Sequence, residues 1–385
     1  MAIRRLKKPF MEVAGISSIA LLATSILSAL LLQSPRGDEI DVYLPVVHAS
    51  TNVWPDFNLF EVAYGISPLW TWAVGGLAAL GLSELLAGRL LAFLGWAGCI
   101  FLCRREDAPL DLRLAALLAH PVLVVYAARA HPLWPGMFFL LLATRGALYL
   151  PLRVALCWAA VTVQNFLLAA VGTLGLLTGK GHLERMRWAF IMSLAGLLGI
   201  LFNWALYGGQ YPAAFVASKY YEPYRNFSGF TIGYLPLTLG LGGWLALILA
   251  RGRAHWSMSI AAGIGSALVL VSVAHAVPLG PIFNHAAIFG DWAISLVAIM
   301  VGLGFAGWML LDRPRWQIVL GILLGAVSIS TLPFYYERYA WFISAPILAV
   351  WATQKTIDEA PRAVLSAWLI LSLGLSNLFL WKGSL

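Results

Sequence analysis

The chain has 385 residues, of which 61% are hydrophobic and only 11% charged, with a net charge of +8. A soluble domain is about half apolar and about a quarter charged, so an excess of this size has no soluble core large enough to hold it. The positive balance does not point to nucleic acid either, because the basic residues form short clusters between apolar runs and no single patch.

Lipid is the remaining solvent, and apolar runs of near-spanning length recur along the whole chain. Backbone in lipid must satisfy its own hydrogen bonds, so the spans are expected to be helices. The first run, from Val13 to Gln33, follows Arg4-Arg5-Leu6-Lys7-Lys8. It resembles a signal peptide, but roughly twenty residues is long for such a core and no Ala-x-Ala site follows. It is read as a first spanning helix with its N-terminus in the cytoplasm. The expected spans are 13–33, 84–103, 112–128, 136–150, 151–164, 165–179, 188–206, 231–250, 256–275, 290–311, 316–333, 340–353 and 363–381. The fold class is therefore an all-α polytopic membrane protein, a bundle of about thirteen transmembrane helices forming a single domain over residues 1–385. Several spans fall short of about twenty residues, so tilted, kinked or shielded helices are expected.

Charge sets the sidedness of this arrangement. With the N-terminus inside, 18 of the 25 basic residues fall in cytoplasmic segments, and the bias is steady from loop to loop. Arg36, Arg89, Arg129, Lys219, Arg225, Arg338 and Lys382 remain on the other side. The apolar run from Ser67 to Leu82 could also span, but that would place Arg104-Arg105 outside. It is read as an interfacial helix on the outer face, anchored by Trp70 and Trp72. The long outer loops are then 34–83, about 207–230 and about 276–289, and long loops are where function concentrates. The C-terminus is outside. Cys99, Cys103 and Cys157 lie in or beside apolar runs and suit small apolar filling rather than disulfides or zinc.

Three constellations carry chemistry. The first is Gly37-Asp38-Glu39-Ile40-Asp41-Val42-Tyr43-Leu44-Pro45, directly after the first span. Three carboxylates this close repel, and such a cluster suits a general base or a metal ligand that holds phosphate. An acidic loop at the membrane boundary is the plainer explanation. The second is Tyr335-Tyr336-Glu337-Arg338-Tyr339, at the outer end of a late span. Its arginine fork suits phosphate, and an aromatic-belt anchor is the plainer alternative. The third is Lys219-Tyr220-Tyr221-Glu222-Pro223-Tyr224-Arg225-Asn226, in which cations and tyrosines interleave. Arg129-Ala130-His131 lies in a short outer turn, Gln164-Asn165 at another, and His275, His285 and Asp291 share the last long outer loop. Asn226-Phe227-Ser228 fits the glycosylation pattern. There is no Walker loop, dinucleotide fingerprint, HExxH or nucleophile elbow.

The acidic motif and its place resemble the GT-C superfamily of polyprenyl-phosphate-sugar glycosyltransferases. The nearest likeness is to the family of alpha-1,2-glucosyltransferases acting on dolichol-linked oligosaccharide. The matching residues are Asp38-Glu39-Ile40, Pro45, Trp54-Pro55-Asp56 and Gly65-Ile66-Ser67-Pro68-Leu69-Trp70. Gln164-Asn165 is similar to a mid-chain element of that family, and Glu337-Arg338-Tyr339 followed by Pro346 to the Arg-Tyr element of several GT-C families. The likeness covers the first hundred or so residues best and the rest mainly in layout. One turn departs from it. Ala128-Arg129-Ala130-His131-Pro132 has a cation where the glucosyltransferases have an acid, which weighs against a metal requirement and against glucose as the sugar.

The resemblance implies an inverting transfer on the extracytoplasmic face of a bacterial inner membrane or its equivalent, from a polyprenyl-phosphate-linked sugar to a glycan, lipid or protein acceptor. Asp38 is then the expected base, with Glu39 next and Asp41 in support. Arg338, with Lys219, Arg225 or Arg129, is expected to hold the donor phosphate. Tyr43, Gln164, Asn165, Tyr221, Glu337, Tyr339 and His131 are expected to contact substrate. No cofactor is expected for certain, and a divalent metal is left open. A transporter or flippase for a lipid-linked or anionic solute is the alternative from another class, although ionisable residues near helix ends suit it less than residues at mid-bilayer. A polysaccharide polymerase or ligase shares the layout.

Overall fold

A computed structural model describes residues 2–35, 39, 67–103, 111–145, 148–179, 181–207, 234–249, 256–274, 286–310, 315–330, 337–354 and 362–382. The described elements are helical, with no strand among them. In chain order they are α1 (Ala2–Leu32), α2 (Pro68–Ala79), α3 (Glu84–Phe101), α4 (Leu112–Leu118), α5 (Pro121–Val125), α6 (Leu133–Ala143) and α7 (Leu150–Val163). A 3₁₀ turn, Asn165–Leu167, leads into α8 (Leu168–Thr178), α9 (His182–Tyr207), α10 (Tyr234–Leu249), α11 (Trp256–Ala274), α12 (Asp291–Leu310), α13 (Arg315–Ser330), α14 (Glu337–Gln354) and α15 (Arg362–Lys382). By length and composition, Val13–Leu32, Glu84–Phe101, His182–Tyr207 and Asp291–Trp308 can cross a membrane, and shorter apolar helices accompany them. Large apolar side chains remain exposed along them, such as Met186, Phe190, Leu194, Leu197 and Leu201 on α9 and Ile260, Ile264 and Leu268 on α11. Water would penalise such faces and lipid does not.

The chain forms two compact units. The first holds α1 to α7, the 3₁₀ turn, the second half of α9, and α15. Within it α1 lies along α15, while α6 packs on both α3 and α7. The expected span 112–128 is not one helix. Pro121 disfavours helical geometry at His120, so the run splits into α4 and α5. Every residue of α4 is buried, and a break there frees carbonyls that lipid could not satisfy. The protein supplies the donors. Trp368 Nε1 donates to Ala116 O at 3.1 Å and Trp96 Nε1 to Leu118 O at 3.2 Å. Ser372 Oγ donates to Ala119 O.

The second unit holds α8, the first half of α9, and α10 to α14. Its α12 packs on α10 and α11, and α10 also packs on α14. Glycines make the first contact close: Gly240 and Gly243 of α10 meet Gly304 and Gly307 of α12 backbone to backbone. Two indoles clasp the same pair of helices, Trp244 Nε1 donating to Met300 O at 2.8 Å and Trp308 Nε1 to Leu239 O at 2.7 Å.

The run 67–82 does form a helix, α2, capped by Ser67, whose Oγ accepts from Trp70 N at 3.4 Å. Twelve residues span about 18 Å, well short of a hydrocarbon core. Gly81, at φ +100, ends it, and Ser83 starts α3 by accepting from Leu86 N at 3.3 Å. The role expected of Trp70 is corrected. It is 2% exposed and packed with Val74, Ala87, Ala130 and Tyr207, so it belongs to the protein core and not to a headgroup belt.

Candidate functional site

Arg89 lies in the second turn of α3. A guanidinium set in an apolar helix is costly unless every donor finds a partner. Here Nε donates to Glu39 Oε1 at 2.8 Å and Nη2 to Glu39 Oε2 at 2.7 Å, a bidentate pair. Nη1 donates to Leu30 O at 3.1 Å and Gln33 O at 2.7 Å, and Nη2 also donates to Ser34 O at 3.1 Å. Those carbonyls close the C-terminal end of α1, where a helix lacks internal donors and favours a cation. All five N–H groups are thus engaged.

Glu39 completes the arrangement. Its Oε1 also accepts the backbone N–H of Ala130 at 2.7 Å. The two side chains keep only 3% (Arg89) and 2% (Glu39) of their surface exposed. Glu39 therefore ties three parts together: the end of α1, the second turn of α3, and the turn Arg129-Ala130-His131. Gly88 permits the approach, since a Cβ there would lie 2.7 Å from that of Ala130. Glu39 of the acidic motif and the Arg129-Ala130-His131 turn, far apart in the sequence, meet at this point. Among the described residues, Glu39 is buried and held by Arg89 Nε, Arg89 Nη2 and Ala130 N. Its geometry suits an anchor better than a base.

The flanks of Ala130 differ in character. Arg129 is half-buried, its guanidinium 5.9 Å from the centre of the Tyr126 ring, and it makes no ion pair with a described residue. His131 is buried, with its ring edge-on to Tyr126 at 4.8 Å. Its Nδ1 accepts from Leu133 N at 3.1 Å, which caps α6 and leaves the ring proton on Nε2.

Gln164 and Asn165 sit at the break after α7. Gln164 is extended (φ −147, ψ 103) and half-buried, and Asn165 is exposed. Asn203 of α9 spans the break, donating Nδ2 to Thr162 O at 3.0 Å and to Asn165 Oδ1 at 3.4 Å. Tyr207, one turn further along α9, packs in the cluster that holds Trp70 and Ala130. The break, the end of α9 and the Arg89 clamp therefore share one end of this unit. At the C-terminal end of α3, Arg145 Nη2 donates to Leu102 O and Arg153 Nη2 to Arg145 O, the latter at 3.1 Å. Two arginines expected on the cytoplasmic side thus occupy the opposite end.

Arg338 and Tyr339 belong to the second unit, in the first turn of α14. The Arg338 guanidinium lies 5.5 Å from the centre of the Tyr339 ring, and Tyr339 in turn neighbours Tyr234 at 6.5 Å. Glu337 opens the helix. Asp291 opens α12. Asp38, Asp41, Tyr43, Lys219, Tyr221 and Arg225 lie outside the described residues, as do His275 and His285.

Arg89 belongs to none of the three constellations that the sequence displays. An arginine in the second turn of an apolar helix was the available signal, because such a charge demands a partner. Among the described residues no three His, Cys, Asp or Glu side chains gather as a metal site. Comparison of the chain with protein-family models, curated proteins and solved structures finds no match.

Proposed function

We propose that this protein is a membrane-embedded inverting glycosyltransferase, moving a sugar from a polyprenyl-phosphate donor to a glycan, lipid or protein acceptor on the extracytoplasmic face. One observation supports it above the others: Glu39 of the acidic motif is hydrogen-bonded to the middle of Arg129-Ala130-His131, which joins carboxylate and cation elements at one end of a unit. A glycosyl transfer from a lipid phosphate needs both, close to the membrane boundary.

In this reading Glu39 and Arg89 anchor the start of the first loop, and Asp38, the preceding residue, is the base. Asp38 takes the proton of an acceptor hydroxyl. That oxygen attacks the anomeric carbon from the face opposite the phosphate, and the bond from anomeric carbon to phosphate oxygen breaks. The products are the inverted glycoside and the polyprenyl phosphate, whose charge is stabilised by Arg338, or by Arg129, with help from Lys219 or Arg225. Gln164, Asn165 and His131 offer polar or aromatic contacts to substrate.

The test is transfer of radiolabelled sugar from synthetic farnesyl-phosphoryl-mannose, -glucose and -arabinose into the lipid and glycan fractions of membranes holding the protein. Asp38→Asn should reduce turnover about 100-fold or more, the usual scale for removal of a general base, with protein level and donor binding retained. If Asp38→Asn stays active while a folded Glu39→Gln is dead, Glu39 is the base. Full activity in both variants, or no transfer by the unaltered protein from any donor, would overturn the proposal.

A further inference from the structure

The last two turns of α9 carry Asn203 and Tyr207, four residues apart and so on one helix face. Both are buried, at 4% and 5% exposure. Each nevertheless holds a polar atom with no hydrogen-bond partner among the described residues, Asn203 Oδ1 and the Tyr207 hydroxyl. Buried polar atoms are almost always paired, because leaving one unpaired forfeits its hydration without return. The amide of Asn203 is also fixed in sense: Nδ2 is held by Thr162 O and Asn165 Oδ1, so Oδ1 is the atom left to accept.

Their surroundings indicate which ligand chemistry would fit. Asn203 adjoins Asn165 at the break after α7, and Tyr207 packs with Trp70 and Ala130. The available groups are thus an amide oxygen, a phenol hydroxyl and the neighbouring amides of Asn165 and Gln164. They are neutral and suit hydroxyl groups, whereas phosphate would seek a cation such as Arg129. The Arg129-Ala130-His131 turn reaches the same cluster through Ala130, so a ligand with a charged end and a hydroxyl-rich end matches the two parts.

We infer that Asn203 and Tyr207 recognise the sugar, Asn203 Oδ1 accepting from one ring hydroxyl and the Tyr207 hydroxyl pairing with another. This rests on the glycosyltransferase reading and names the residues that choose among hexoses and pentoses. Both act as specificity residues and neither takes part in bond breaking.

The experiment uses purified full-length protein in detergent and measures the rise in thermal unfolding midpoint with farnesyl phosphate alone and with farnesyl-phosphoryl-glucose, -mannose and -arabinose. The unaltered protein should bind one phosphoryl-sugar more tightly than farnesyl phosphate. Tyr207→Phe and Asn203→Ala should each weaken binding of that phosphoryl-sugar roughly 2- to 10-fold, with farnesyl phosphate unaffected. Tyr207→Phe removes only the unpaired hydroxyl, so its ligand-free midpoint should hold or rise. Retention of the full sugar preference in both variants overturns the inference. So does a lower ligand-free midpoint in Tyr207→Phe with equal losses for all four compounds, which marks a purely structural role. If the unaltered protein binds farnesyl phosphate but discriminates no sugar, the inference falls and the glycosyltransferase reading stands. If it binds none of the four, that reading falls and takes the inference with it.

Discussion

Replacing Glu39 with glutamine tests the Arg89 clamp most directly. The carboxylate accepts three N–H groups: Arg89 Nε and Ala130 N on Oε1, and Arg89 Nη2 on Oε2. A glutamine amide must set its NH2 against at least one of them, and the Arg89 charge loses its counterion while 3% exposed. Removing one partner of a buried ion pair costs about 3–5 kcal/mol, a large part of the 5–15 kcal/mol that holds a typical domain. Arg89→Met should cost at least as much, because the carbonyls of Leu30, Gln33 and Ser34 lose their donor as well. The double variant Arg89→Met with Glu39→Met buries no lone charge. It should retain the cost of those three hydrogen bonds and of the Ala130 N–H that Glu39 accepted, about 2–6 kcal/mol at the usual 0.5–1.5 kcal/mol each. The double variant should therefore be more stable than Arg89→Met alone. Denaturant titration in detergent micelles, arranged as a double-mutant cycle, measures this coupling. Single variants within about 1 kcal/mol of the unaltered protein, or losses that simply add in the double variant, would refute a buried clamp.

Other consequences are independent of it. Arg338→Ala should weaken farnesyl phosphate binding roughly 10- to 100-fold, and Arg338→Lys should recover only part, since a point charge lacks the bidentate fork; unchanged affinity in a folded variant would remove Arg338 from the phosphate site. Asp41→Cys should react with a membrane-impermeant maleimide from the extracytoplasmic side, whereas the buried Cys99, Cys103 and Cys157 stay silent; labelling only from the cytoplasm would invert the topology. Gly304→Ala should cost about 1–3 kcal/mol by forcing α12 away from the Gly240 backbone. Gly265→Ala, where a Cβ meets nothing within 4 Å, should be neutral or stabilise by up to about 1 kcal/mol. Equal effects at both glycines, read by the same titration, would count against close packing of α10 and α12.

Long apolar runs announce helices whatever surrounds them, because backbone removed from water must bond to itself. For that reason α3 and α12 could be read from the sequence within two residues, whereas α1 and α9 begin earlier, at Ala2 and His182, than the expected 13 and 188. The Ser67 and Ser83 caps and the turn at Gly81 are local chemistry too, though no expectation from the sequence named them. The acidic motif, the Arg129 turn and Gln164-Asn165 were also visible as rare polar groups in an apolar chain. Their mutual arrangement was not, since it depends on pairs far apart in sequence: Glu39 reaches Arg89 and Ala130, and Asn203 reaches Thr162. The break at His120 follows from Pro121, but its burial depends on Trp96, Trp368 and Ser372 supplying donors from two other helices. Trp70 shows the same limit. An indole suits a membrane interface and a protein core equally well, and its neighbours Ala87, Ala130 and Tyr207 come together only when the helices pack. Periodicity and hydropathy act along the chain, whereas satisfying a buried charge or carbonyl needs a partner across space, and no local pattern names that partner.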